Sequence, residues 1–154
     1  MGLALVEDLR EYRSAPTEED IEAFETDTLA GFVLAHSSAG LADATIRGEI
    51  GHLEQVRARF GRPLWEMEPS DADAYFGKVL RGTAKGTGLA RSSAITTYFL
   101  FLDLRHKVEI YNLTGRVLEC PIDEVNRPRG AKDAARRIPP TEAEVETLFT
   151  GWRS

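Results

Sequence analysis

The sequence is poor in cysteine, lysine and histidine, and it has no long apolar run. A single cysteine, Cys120, excludes an internal disulfide and a cysteine-based zinc site, and it makes a reducing cytoplasm the expected location. The three histidines, His36, His52 and His106, stand far apart with no ligand-like spacing, so no metal ligand is nominated. No apolar stretch approaches the roughly 20 residues of a membrane helix. Met1 to Val6 are mildly apolar, but Glu7 and Asp8 follow at once, which is not the pattern of a secretory leader. Residues 82–88, GTAKGTG, hold the residue types of a phosphate loop in the wrong order, with no strand predicted before them. There is no nucleophile elbow and no Ser-His-Asp arrangement, and nothing marks Cys120 as an activated thiolate. No catalytic residue and no cofactor is expected, and the chain by itself is not expected to be an enzyme.

What is present fits one domain with its own core: 154 residues, 42% hydrophobic and 29% charged. Fifteen arginines stand against four lysines, and arginine's planar fork suits phosphate contacts. The net charge of −6 is unevenly spread. Residues 1–40 carry nine acids and two bases, residues 41–80 seven and five, and residues 81–140 six and eleven. A local basic surface, rather than the total, is the electrostatic footprint of a nucleic-acid binder.

The spacing of apolar residues is helical almost throughout. Residues 1–16 read as an arm or short helix ending before Pro16. Thr17 can cap a helix whose first turn holds Glu18, Glu19 and Asp20, with Ile21, Phe24, Leu29, Phe32 and Val33 on its buried side. Ser37 to Gly40 ends it. A second helix starts at Asp43 or Ala44 and runs to Phe60, burying Ile46, Ile50, Leu53, Val56 and Phe60; Gly61-Arg62-Pro63 breaks it. Leu64, Trp65 and Met67 form an apolar connector. Ser70 is the expected cap of a third helix to about Arg81, offering Ala74, Tyr75, Val79 and Leu80 to the core. A fourth helix to about Arg105 buries Ile95, Tyr98, Phe99 and Leu102. Residues 107–120 read either as a hairpin turning at Thr114-Gly115 or as a helix closed by Gly115, the helix being preferred. Residues 126–140, with three prolines, a glycine and five bases against one acid, read as a basic linker. A last helix starts at Thr141 with Glu144 three residues on, a capping-box spacing, and Val145, Leu148, Phe149 and Trp152 fall at i, i+3, i+4 and i+7. The expected fold is all-α: a compact orthogonal bundle of four to five helices over residues 17–125, a C-terminal basic linker over 126–140 and one extra helix over 141–154.

The order of segments resembles the N-terminal core-binding domain of the tyrosine recombinases, the phage-integrase family. Gly40-Leu41 and Thr45-Ile46 match its opening, and Leu53, Val56 and Phe60 match its first long helix. Pro63-Leu64-Trp65-Glu66-Met67 matches its connector, and Asp71, Ala74, Tyr75 and Phe76 its next helix. Gly82-Thr83-Ala84 with Thr87 looks like a degenerate second copy of the opening. Ile95, Tyr98, Phe99, Phe101 and Leu102 resemble the family's aromatic ending, and Pro121 sits where it often has Asn-Pro. Asn126 to Arg129 and Ile138 to Glu142 resemble its interdomain linker and the start of its catalytic domain. The likeness covers roughly residues 17–150. The chain departs from the pattern at Gly86, Gly88 and Ser92, at Glu49 where an aromatic is frequent, and in the length of residues 107–120.

The resemblance implies a half-clamp on double-stranded DNA. In the family, a catalytic domain cuts one strand through a tyrosine, holds a 3′-phosphotyrosyl link and rejoins; none of Tyr12, Tyr75, Tyr98 or Tyr111 matches that nucleophile's motif, so the catalytic domain is expected beyond this chain. The implied DNA contacts are Thr45, Arg47, His52 and Arg57 on one helix and Lys85, Arg91, Ser92, Ser93, Thr96 and Thr97 on another. The linker adds Arg127, Arg129, Lys132, Arg136 and Arg137. Hydroxyls donate to phosphate oxygens, and arginines reach phosphates or guanine edges. The stripe Val145, Leu148, Phe149 and Trp152 would be left without its catalytic domain, which predicts self-association through that helix. The competing expectation is a helical protein-interaction module without DNA binding, its acidic N-terminal region taking a basic partner.

Overall fold

The computed structural model describes residues 16–129, and these form an all-α bundle. The sequence expectations for the arm, for Lys132, Arg136 and Arg137, and for the stripe Val145, Leu148, Phe149 and Trp152 lie outside the described residues, Pro16 excepted.

Helix α1 spans Glu18–Ser38 and starts where its cap predicts. The Asp20 N–H donates to Thr17 Oγ1 at 3.2 Å, and the Thr17 N–H donates back to Asp20 Oδ2 at 3.0 Å. It ends at Gly40, whose φ of 87° suits a residue without Cβ. Helix α2, Asp43–Phe60, is closed by Gly61. The connector then turns once as a 3₁₀ helix, Leu64–Glu66, and Leu64, Trp65 and Met67 are all buried.

Helix α3, Pro69–Ala74, departs from expectation at both ends. It opens one residue before Ser70, because proline at the first helical position loses an N–H that had no partner anyway. Asp71, not Ser70, completes the start, accepting the Glu68 N–H at 2.9 Å. Beyond Ala74 the chain continues as a π turn, Tyr75–Val79, in which the Leu80 N–H reaches back five residues to the Tyr75 carbonyl at 3.0 Å. The wider turn brings Tyr75 and Leu80 to the core, so Ala74 and Val79, which an α-helical period offered to it, stay exposed.

Helix α4, Lys85–Arg105, is the spine of the bundle. Its expected apolar face is deeply buried, joined by Ala94 and Phe101, and α2 packs on it most extensively. Helix α5, Lys107–Thr114, follows after one residue and ends at Gly115, which resolves the ambiguous segment as helix. Residues 116–120 form no strand pairing, and among the described residues there is no β-structure.

The α1–α4 junction is aromatic. Phe32 is fully buried and meets Tyr98 and Phe101 edge-on, with centroids 5.4 and 5.6 Å away. The Tyr98 hydroxyl lies 3.0 Å from Thr28 Oγ1, which also donates to the Glu25 carbonyl. Burial pushes the Tyr98 phenol up to about 12, aided by the nearby Glu25 carboxylate and opposed by the Thr28 hydrogen bond. Val33, expected on the buried side of α1, is instead at the surface. Two polar pairs brace α1 to α2: Glu25 with Arg57, and Glu49 with His36, whose Nδ1 and Oε2 lie 2.7 Å apart. His36 stacks on Phe32 at 4.2 Å, so Glu49 meets an imidazole over the aromatic core.

Candidate nucleic-acid interface

The N-terminus of α4 is chemically unlike that of α1. Its N-cap is Ala84, no side chain bonds its first amides, and its first turn holds no acid. Uncapped helix amides carry partial positive charge, and Lys85 adds a full one.

The chain returns to this point from the other end of the described fold. Asp123 and Asn126 close a tight loop: Asp123 Oδ1 accepts the N–H groups of Val125 and Asn126, and Asn126 Nδ2 donates to the Pro121 carbonyl at 2.8 Å. Pro121 and Ile122 anchor that loop in the core. The next residues run back to α4, where a Cβ on Gly88 would lie 3.8 Å from Pro128 Cβ. The result is a cleft of about 420 Å³. Lys85, Arg129, Asn126 and Thr83 supply its polar wall, Phe76 and Leu80 its apolar floor, and Asp73 the one carboxylate on its lining.

Lys85 and Arg129 lie 44 positions apart in the sequence, and the fold brings them to one cleft. Thr83 and Asn126 belong to it too, although sequence reasoning missed them; the glycine-rich stretch 82–88 was the available signal. The remaining candidates are scattered in environment. Thr45 and Arg47 are exposed at the start of α2, with no ion pair to Arg47 among the described residues, and His52 is half-buried two turns on. Arg57 is committed elsewhere: Nε donates to Glu25 Oε2 at 2.7 Å and Nη2 to Oε1 at 3.2 Å. Arg91 is half-buried and donates from Nη1 to the Tyr75 hydroxyl at 2.8 Å. Ser92, expected on the wet face, is 3% exposed. It stands seven residues before Phe99, two helical turns away and therefore on the same inward face. Ser93 is exposed, Thr97 is half-buried, and Thr96 donates to the Ser92 carbonyl at 2.9 Å. Arg127 is exposed, 3.6 Å from Glu124 of its own loop.

Among the described residues, no three His, Cys, Asp or Glu side chains converge as metal ligands would, and no helix is long and apolar enough to cross a membrane. Comparison with known proteins finds no matching family model, no matching curated protein and no matching solved structure.

Proposed function

We propose that this chain binds duplex DNA through its phosphate backbone, seating it at the α4 N-terminus. The observation that carries this reading is the cleft that joins Lys85, Arg129 and an uncapped, acid-free helix start. Two cations and a row of oriented N–H dipoles suit a phosphate chemically. The outward side of α2 adds support. Gly48 and Gly51 have no heavy atom within 4 Å of a would-be Cβ, although glycine inside a helix costs about 1 kcal/mol relative to alanine. Beside Thr45, Arg47 and His52, that open space admits a close backbone. α1 holds six carboxylates and no lysine or arginine, so it is assigned to the side away from the DNA.

The resemblance to the tyrosine recombinases supplies the finer reading: a core-binding half that positions DNA for a catalytic domain acting through a tyrosine. Phosphate contacts of this kind give affinity and register, and sequence discrimination falls to the few side chains that reach base edges.

The test is fluorescence anisotropy of a labelled duplex against the chain at a series of salt concentrations, beside Lys85→Glu/Arg129→Glu. Affinity should fall steeply with salt. The double variant should lower the slope of log affinity against log salt by about two, close to one for each phosphate that a cation no longer neutralises. A well-folded chain that binds no duplex at low salt fits the other reading, a protein-interaction module. The carboxylates of α1, which have a single arginine partner in Arg57 among the described residues, favour that alternative.

A further inference from the structure

The outward side of α4 changes character along its length. Its first half shows Lys85, Ser93 and the half-buried Thr96 and Thr97. Its last two turns show Leu100 and Leu104, 58% and 72% exposed, and α5 continues with Val108 and Tyr111, 70% and 56% exposed. The helical ladder crosses the junction between the two helices. The His106 N–H donates to the Leu102 carbonyl at 2.8 Å, and the Ile110 N–H donates to the His106 carbonyl at 2.9 Å. The four apolar side chains therefore follow one helical spacing, i, i+4, i+8 and i+11. A groove of about 240 Å³ lies beside Leu100, walled by Phe99, Leu118, Asp103 and Cys120. Contiguous apolar surface of this kind in a water-soluble fold marks a contact site.

The sequence holds a segment that fits it. Val145, Leu148, Phe149 and Trp152 repeat at i, i+3, i+4 and i+7, and a helix over that stretch would be about 10 Å long, against about 16 Å from Leu100 to Tyr111. Reach is sufficient. The described chain ends beside Gly88, and α4 rises about 24 Å from there to Leu104. The fifteen intervening residues, 130–144, can span up to about 50 Å. A tether of this length holds the segment at roughly millimolar effective concentration, far above any micromolar second copy.

We infer that residues 145–152 dock in cis on the apolar face formed by Leu100, Leu104, Val108 and Tyr111. This contact is independent of DNA binding and places the basic residues of the linker alongside α4. It also makes the chain a monomer, in place of the self-association that the bare stripe suggests.

The test is amide hydrogen exchange by NMR on the full chain at two protein concentrations, with Leu104→Glu as the comparison. Leu104 is largely exposed, and the core amides of Ile95 and Leu102 serve as the internal check that the fold survives. The expected result is protection of residues 145–152 that does not change with concentration and falls by about ten-fold or more in the variant. Protection that grows with concentration, with a doubled mass by light scattering, would overturn the cis contact in favour of a second copy. Absent protection, or protection indifferent to Leu104→Glu and to Leu100→Glu, would overturn the docking face altogether.

Discussion

Helices α1 and α4 are both 21 residues long and share one core, but they begin in opposite ways. α1 is sealed: Thr17 and Asp20 satisfy two of its free amides, and three acids neutralise its dipole. α4 is open: alanine at the cap, no acid in its first turn, lysine at its first position. A capped end is worth about 1 kcal/mol of stability, so α4 forgoes stabilisation that α1 takes. The difference separates a helix start that serves the fold from one that leaves its amides for a ligand.

The largest expected effect removes what the two helices share. Phe32→Ala empties the aromatic junction with Tyr98 and Phe101 and should cost about 3–5 kcal/mol in urea unfolding; a cost below about 1 kcal/mol would mean that the helices do not depend on each other.

The next effect is on pH. The Tyr98 phenol is raised in the folded state to about 12, from 10.0. The unfolded chain therefore loses its proton first as pH rises, and the folded state is penalised. Stability should be fully present below pH 10 and decline between about 10 and 12, by roughly 2–3 kcal/mol. Alkaline unfolding of the Tyr98→Phe variant should lack that decline; identical curves would contradict the burial.

Thr17→Ala should cost about 1 kcal/mol and leave DNA affinity untouched, as measured by thermal melting and anisotropy together. The smallest change is the sharpest. Ala84→Asp gives α4 the device that α1 already has, and it should raise stability by about 0.5–1 kcal/mol while weakening DNA binding. If the two quantities move in the same direction, the contrast between the helix starts has no functional meaning.

What could be read from the sequence follows the range of the forces involved. The starts and ends of α1, α2 and α4 were legible because Thr17, Gly40 and Gly61 act within one turn of themselves. The all-α class was legible because the apolar spacing is local. The π turn was not, since a backbone bond from Leu80 to Tyr75 leaves no residue signature, and Val79 and Leu80 therefore exchanged roles. At the site, Lys85 and Arg129 were each legible as cations, but their meeting was not; it depends on Asn126 and Asp123 folding the chain back on α4. Arg57 looked free because its partner, Glu25, stands 32 positions away. Ser92 was misjudged by chemistry alone, although its spacing from Phe99 already placed it inside.

The π turn between Tyr75 and Val79 amounts to one residue more than an α-helix of the same rise would need. Removing a single residue there would return the segment to ordinary pitch and rotate everything after it by about 100°. Leu80 would leave the core, and Thr83, Ala84 and Lys85 would swing away from Arg129 with it. The mouth of the cleft thus hangs on a single-residue difference in length, the smallest insertion or deletion a gene can make in frame, and a sequence aligned without a gap at this point would carry the same letters around a different surface.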